Sequence, residues 1–238
     1  MYVSFIIPTL NEHGNITRLI KRINSITKKN NINNEIIIID DNSTDGTIDD
    51  IKNLQKSQKN LKLIVRKRAL GIGSAHIAGY NIAKGDLIIS MDADLSHPPE
   101  KIPELIKAIK KGYDICIGSR YVKGAGSDKH MINQFISKFG SFFHSLMFRI
   151  KIRDFSNGYR AIKKDLWEEI NNYKYTHRNN FLIESLYYAY LHGAKITEIP
   201  AFFKEREIGE SKTPLVQETL RGLILPFKMK LKSRKKKI

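Results

Sequence analysis

A doubly wound, mostly parallel α/β sheet flanked by helices is the fold class that this sequence predicts. Two observations carry the prediction. In the first 121 residues five short apolar runs alternate with segments whose apolar residues recur at helical spacing, the pattern of successive strand and helix units. One of those runs, Ile36 to Ile39 within EIIIID, is apolar at successive positions, which marks a strand covered on both faces. A sheet of this kind binds ligands beyond the carboxyl ends of its strands, so the polar residues that follow the runs are the candidates for chemistry.

The elements follow in order. Val3 to Pro8 is a β-branched strand, and Asn15 to Ile26 a helix with Ile16, Leu19, Ile20, Ile23 and Ile26 on one side. Glu35 to Asp40 is the second strand, Thr47 to Leu54 a short helix, Leu61 to Val65 the third strand and Ser74 to Lys84 a helix. Asp86 to Met91 and Asp114 to Gly118 are two more strands around a helix from Pro99 to Lys110, where Pro99 suits a first helical position. Beyond Tyr121 the helices lengthen: Met131 to Phe148, Phe181 to His192 and Pro214 to Met229, with strands at Gly158 to Ile162 and Ile196 to Phe202. No repeat and no Pro-, Gly- or Ser-rich linker divides the chain. It reads as one domain over residues 1–227, the second half extending the same sheet, followed by a basic tail over 228–238.

Composition bounds the rest. With 238 residues, 41% apolar and 27% charged, there is chain for one well-filled core. No run approaches the 20 or so apolar residues of a membrane span, and Met1 to Leu10 has no basic leader of the secretory type. The single cysteine, Cys116, forbids an internal disulfide and fits a reducing, cytoplasmic setting; mid-strand, it is expected to be buried and inert. The formal charge of +17 points to an anionic partner. Seven of the positive charges lie between Lys228 and Lys237 with no acid among them.

Acidic residues at strand ends are the first chemical signal. Asp40 and Asp41 close the second strand and lead into Asn42, Ser43, Thr44, Asp45, Gly46 and Thr47, a set that a tight turn with a helix cap would also select. After Met91 comes Asp92, Ala93, Asp94, Leu95, Ser96, His97. Two carboxylates one residue apart after a buried strand can share a divalent cation and, through it, a diphosphate; Mg²⁺ suits such a pair because it keeps waters and substrate phosphates as its other ligands. The run Gly71 to Ser74 opens a helix, but the glycines of a dinucleotide fingerprint belong after the first strand, where Pro8 stands, so a nicotinamide cofactor is disfavoured. Arg120 ends the fifth strand near the same mouth, and Arg206 to Lys212 places two cations around Gly209, an arrangement suited to phosphate or to a solvated loop. His76, His97, His130, His144, His177 and His192 show no ligand spacing and read as surface or packing residues.

The combination VSFIIPTLNE, DDNSTDGT, GIGSAHIAGYNIAKGD, MDADLSHPPEKIPELI, GSRYVKG, FSNGYRAIKK and REIGESK resembles glycosyltransferase family 2, and within it the dolichyl-phosphate (polyprenyl-phosphate) mannose synthases, over roughly residues 1–225. The resemblance implies a GT-A fold with a donor-binding half about 1–121 and an acceptor-side half about 122–227. It also implies a nucleotide-sugar donor, Mg²⁺ or Mn²⁺, and a lipid-phosphate acceptor, with no nucleic acid partner. Position by position it puts Pro8, Leu10, Glu12, Ile39 and Asp41 in the nucleotide pocket, with Leu10 where relatives commonly have Tyr. Asp92, Ala93 and Asp94 match the metal and diphosphate segment. Ser96 stands where some relatives have a Gln that contributes to the metal. Arg120 matches a cation on the donor phosphates; Arg206 and Lys212, with Ser211 between them, match the acceptor-phosphate site. Asn157 departs from a usual Ser.

The activity so implied is inverting transfer of mannose from GDP-mannose to dolichyl or polyprenyl phosphate, with Asp94, Arg120, Arg206 and Lys212 as the catalytic set. Glucose from UDP-glucose, or a saccharide acceptor, keeps the fold and changes the substrate. A non-catalytic basic protein that binds RNA or membrane through its tail is the reading from another class. Leu215, Leu220, Leu223, Ile224, Phe227 and Leu231 share or flank one helical side before the basic cluster, which suits peripheral contact with an anionic membrane on its cytoplasmic face. A helix packed on the domain and followed by a solvated tail accounts for the same residues. The absence of a spanning segment leaves anchoring to this contact or to a membrane-anchoring subunit.

Overall fold

The computed structural model describes residues 1–128, 131–176, 178, 180–204 and 215–235. In chain order the elements are β1 (Val3–Thr9), α1 (Asn15–Lys29), β2 (Asn34–Asp40), α2 (Thr47–Gln55), β3 (Leu61–Val65), α3 (Ile72–Ile82), β4 (Leu87–Ser90), a 3₁₀ turn (Pro99–Lys101) leading into α4 (Ile102–Lys110), and β5 (Ile115–Ser119). Then come β6 (Gly126–Ser127), α5 (Met131–Phe148), β7 (Arg160–Lys163), α6 (Lys164–Ile170), α7 (Asn180–Leu191), β8 (Ile196–Pro200), β9 (Phe202–Phe203) and α8 (Leu215–Lys235).

Seven strands form one sheet in the order β3-β2-β1-β4-β7-β5-β8. All neighbours pair in parallel except β7, which runs antiparallel to both β4 and β5. The isoleucines of β2 explain why its sequence does not alternate. Successive side chains of a strand leave opposite faces: Ile36 and Ile38 enter one hydrophobic cluster with Ile16, Leu19 and Ile23 of α1 and Leu105 of α4. Ile37 and Ile39 enter the other, with Tyr80 of α3, Trp167 of α6 and Phe181 and Leu186 of α7. The molecule is therefore a sheet between two helical layers. Helix α3 comes so near the sheet that a Cβ at Gly79 would lie 2.3 Å from Ile6 Cγ2.

Helix α6 is not among the elements expected from the sequence, and the strand expected at Ile196 to Phe202 divides into β8 and β9, which lie in different sheets; three further elements differ in pairing or length. The strand expected at Gly158 to Ile162 does join the sheet, but antiparallel, and it separates β4 from β5. Helix α3 ends at Ile82, short of Lys84, because Lys84 N–H donates to Glu35 Oε1 at 2.7 Å and Gly85 N–H to Ser4 Oγ at 2.8 Å. These bonds pull the chain into the sheet edge. Helix α8 continues to Lys235 rather than stopping at Met229, so the start of the expected tail is helical. Its Leu225 and Met229 are buried in the second cluster while Ile224, Phe227 and Leu231 point outward, so one side packs on the domain and another is free. Among the described residues no helix is long and apolar enough to cross a membrane. Cys116 is buried in mid-strand as expected, and burial pushes its thiol up to about 12.

Candidate active site

Parallel pairing decides which residues meet. β1, β2, β4 and β5 run the same way, so Thr9, Asp40, Ser90 and Ser119 end on one edge of the sheet. Leu10 to Glu12, Asp41, Asp92 to Ser96 and Arg120 leave the sheet along that edge. β7 starts there because it is antiparallel, and it delivers residues 154–158 between the ends of β4 and β5.

The carboxylate pair sits at the end of β4. Asp92 has a side chain 34% exposed, whereas Asp94 is buried and its Oδ1 accepts the Ser96 N–H at 3.0 Å. Ala93 and Leu95, between and after them, are held in the core, and Leu95 takes a left-handed backbone with φ 65°. Such a conformation is costly for a branched residue and is tolerated where a site requires it. His97, read from sequence as a surface or packing residue, is buried against this pair. Its Nδ1 accepts the Asp92 N–H at 2.9 Å, so the ring proton belongs on Nε2, which faces Asp92 Oδ2 at 3.5 Å. The ring stacks on Tyr159 at 5.2 Å. The available signal was its place five residues after Asp92 in the same turn.

Behind Asp92 lies a second buried histidine. His76 Nδ1 bonds the Ile72 carbonyl at 2.9 Å, and Nε2 is buried without a hydrogen-bond partner. A Cβ at Gly158 would stand 3.4 Å from Asp92 Oδ1 and 3.9 Å from His76 Nε2. Burial is the main reason His76 is driven down to about 4. It is neutral at physiological pH.

Whether these residues suit a metal is answered by the donor set. No cluster of three or more His, Cys, Asp or Glu side chains able to hold an ion occurs among the described residues. Two oxygen donors, one of them open to solvent, are what Mg²⁺ or Mn²⁺ requires when substrate phosphates and water complete the shell. The residues fit such an ion.

Arg120 is fixed by a residue that sequence reading did not single out. Its Nε and Nη2 donate to Asp154 Oδ2 and Oδ1 at 2.8 and 2.6 Å, and its backbone N–H to Oδ2 at 3.0 Å. Asp154 is fully buried and the Arg120 side chain 13% exposed. Burial opposes the charge on Asp154, but the guanidinium outweighs it and holds the carboxyl below its ordinary value. Asn157 closes the arrangement: its Nδ2 donates to Gly118 O at 2.6 Å and Asp154 Oδ2 at 3.1 Å, and its Oδ1 accepts the Tyr159 N–H at 2.9 Å. The departure from Ser thus ties β5, Asp154 and β7 together. Arg120 and Tyr121 line a cleft of about 690 Å³ that extends along Met131, Ile132 and Phe135 of α5.

Around Asp41 the structure favours turns over open chemistry. Asp40 accepts from Ser43 N–H and Oγ–H at 2.8 and 2.6 Å, and Asp45 from Thr47 N–H and Oγ–H at 3.1 and 2.6 Å. Asp41 Oδ2 accepts from the N–H groups of Leu70 and Gly71, both at 3.3 Å. Arg66 pairs with Asp41 and also donates to Ser74 Oγ at 2.6 Å. The Gly71 turn is thereby anchored to the end of β2. Pro8 pairs with Ile39 across β1 and β2, and Ile39 points into the core, so it backs the edge from within. Leu10 is half-buried at the edge. Glu12 is buried and accepts from Asn15 Nδ2 at 2.9 Å. Arg206, Ser211 and Lys212 lie outside the described residues.

Comparison with known proteins agrees with this arrangement. The profile of the family described as Glycosyl transferase family 2 matches residues 4–170. A dolichol-phosphate mannosyltransferase of Pyrococcus furiosus is 39% identical over 217 residues, which is 89% of this chain and 59% of that protein; the chain thus spans well under two thirds of that relative. An undecaprenyl-phosphate mannosyltransferase of Micrococcus luteus is 32% identical over 89% of this chain and 87% of its own length. A dolichol-phosphate mannosyltransferase of Mycosarcoma maydis is 32% identical over 88% of this chain and 72% of that protein. Among solved structures, glucosyl-3-phosphoglycerate synthase of Mycobacterium tuberculosis, in complex with Mn²⁺, UDP and phosphoglyceric acid, superposes with a TM-score of 0.68 at 17% identity, covering 94% of this chain and 78% of that one. At that identity the likeness speaks for the fold. Sheet order, site edge and family match converge: the chain belongs to glycosyl transferase family 2 and has the GT-A fold.

Proposed function

We propose that this chain transfers mannose from GDP-mannose to dolichyl or another polyprenyl phosphate, with inversion at the anomeric carbon. One observation carries the reading: a single sheet edge gathers Asp92, Asp94 and an Arg120 locked by Asp154, in a chain whose relatives are named for mannose transfer to lipid phosphates. Mg²⁺ or Mn²⁺ held by Asp92 and Asp94, with Ser96 beside them, would supply positive charge to the departing diphosphate.

The protein's own groups do the rest. Pro8, Leu10, Glu12 and Asp41 border the space for the nucleotide, with Ile39 and Ala93 supporting it from the core. Asp154 holds the Nε and Nη2 edge of Arg120, which presents the remaining N–H groups to phosphate in the cleft. A lipid monophosphate, whose second pKa is about 6, arrives as an anion and so needs no general base of the kind a hydroxyl acceptor requires. The task becomes bringing two negatively charged groups together, and Arg120, Arg206 and Lys212, with Ser211, are assigned to it. Since such an acceptor lives in a bilayer, the enzyme works peripherally at an anionic membrane on its cytoplasmic face, directly or beside an anchoring subunit.

The test is a screen of GDP-mannose and UDP-glucose against short polyprenyl phosphates and saccharides, with Mg²⁺, Mn²⁺ or chelator. Mannosyl lipid formed from GDP-mannose, and lost with chelator, is the expected result. Product from UDP-glucose alone would overturn the mannosyl assignment.

A further inference from the structure

Among the described residues Arg160 is a buried cation with which no carboxylate pairs. It opens β7, opposite Ser90 of β4 on one side and Ile117 of β5 on the other, and is 2% exposed. Its guanidinium N–H groups are spent on neutral oxygens. Nε donates to the Asn157 carbonyl at 3.0 Å, and Nη1 to the Leu182 carbonyl at 2.9 Å and Ser185 Oγ at 3.3 Å. Nη2 donates to the Phe155 carbonyl at 3.3 Å and again to that of Asn157. The acid that acts on it through space, Asp154, gives its oxygens to Arg120 and Asn157. Burial pulls the guanidinium down to about 10, which leaves it charged at physiological pH.

An unpaired buried charge costs far more than an apolar side chain of similar volume, and the place of this one supplies the reason for it. Ser90 lies two residues before Asp92, and Ile117 three before Arg120. The loop whose carbonyls Arg160 holds runs on into Gly158, where a Cβ would stand 3.4 Å from Asp92 Oδ1. His76, behind Asp92, is within electrostatic reach of both Asp92 and Arg160. We propose that Arg160 is a positioning residue that acts by its charge: a fixed cation under the transfer site that weakens the hold of Asp92 and Asp94 on a free divalent ion and favours the donor's diphosphate, so that the ion enters together with the nucleotide. A free divalent cation is repelled by Arg160 and a bare diphosphate attracted, whereas an ion already carried by a diphosphate arrives with its charge offset. A clamp that worked through its bonds alone would not tell these ligands apart by sign. The proposal rests on the reading of this edge as a nucleotide-diphosphate site and not on the sugar or the acceptor.

The experiment compares the full chain as wild type, Arg160→Gln and Ser185→Asp. The second variant keeps the guanidinium and places a carboxylate where Ser185 Oγ lies 3.3 Å from Nη1. Mn²⁺ alone is titrated through the electron paramagnetic resonance signal of the free ion, and GDP and UDP are each titrated by calorimetry in chelator. Both variants should bind Mn²⁺ more tightly and the nucleotide diphosphate more weakly, each by about threefold or more. Circular dichroism identifies the folded proteins; should Arg160→Gln not fold, Ser185→Asp carries the test, since its guanidinium still holds the Phe155 and Asn157 carbonyls. A folded variant that binds Mn²⁺ no more tightly than wild type, or that weakens toward both ligands, would overturn the role of Arg160. With GDP binding intact in wild type, that result would leave the donor reading standing. Opposite shifts measured with UDP, in a protein to which GDP does not bind, would overturn the GDP-mannose reading and leave Arg160 in this role.

Discussion

Replacing Asp154 with Asn tests whether Arg120 is held by charge or by packing. Asp154 is fully buried, gives both oxygens to the guanidinium, and also accepts from the Arg120 backbone N–H and from Asn157 Nδ2. Breaking a buried ion pair costs about 3–5 kcal/mol because the surviving charge is stranded. Arg120 borders an open cleft and can rehydrate in part, and Asn keeps one carbonyl oxygen for the N–H groups, so a loss of about 3 kcal/mol is expected. With a urea slope of about 3 kcal/mol/M for a chain of this size, the unfolding midpoint should fall by about 1 M. The pH dependence has a definite sign. The native carboxyl is depressed relative to the unfolded chain, so the pair's contribution is present above the ordinary carboxyl value of about 4 and is lost as pH falls through the depressed native value. The gap between wild type and variant should be full at pH 7 and shrink below about pH 4. A variant as stable as wild type, or a gap that persists unchanged at pH 3, would refute the reasoning.

Other expectations follow from the same geometry. Asp94→Asn should lower transfer by more than about a hundredfold, the scale of losing a main electrostatic contributor, with circular dichroism unchanged; retained turnover would remove Asp94 from the reaction. His97→Gln should raise the Mg²⁺ concentration needed for half-maximal activity about tenfold or more, as for groups that orient a metal ligand; an unchanged titration would show that the Asp92 turn holds without the ring. Gly118→Ala should destabilise by about 1–3 kcal/mol in urea melts, because its Cβ would sit 2.5 Å from Tyr159 Cδ1. Cys116, with its thiol pushed up to about 12, should resist thiol reagents at pH 8 until denaturant is added; fast labelling of the native protein would contradict its burial.

Much of the molecule is written in local pattern. Unbroken isoleucines in β2 announce a strand covered on both faces, and the spacing of Ile16, Leu19, Ile20 and Ile23 announces α1; both are read correctly because period and burial are properties of a short segment. Asp92 and Asp94 are legible for the same reason, being one residue apart at the end of a recognisable strand. The polar run after Asp40 shows the limit of that reading: residue type suits both a ligand site and a turn, and the bonds of Asp40 and Asp45 go to the turn.

Other features depend on pairing between distant segments. Nothing within residues 158–163 says that β7 will enter antiparallel between β4 and β5, since strand direction is fixed by neighbours and connections rather than by composition. That one decision carries Asp154, 34 residues from Arg120 in sequence, into contact with it. It also sets Gly158 beside Asp92. Likewise the sequence of α8 shows a helix with more than one apolar side, and only its packing against the domain determines that Leu225 and Met229 turn inward while Ile224, Phe227 and Leu231 face out. The chain alone determined which segments are strands and helices and which carboxylates stand at a strand end, because these depend on near neighbours. The tertiary structure decided which cation is locked to which acid and which apolar faces remain uncovered, because those depend on contacts across tens of residues.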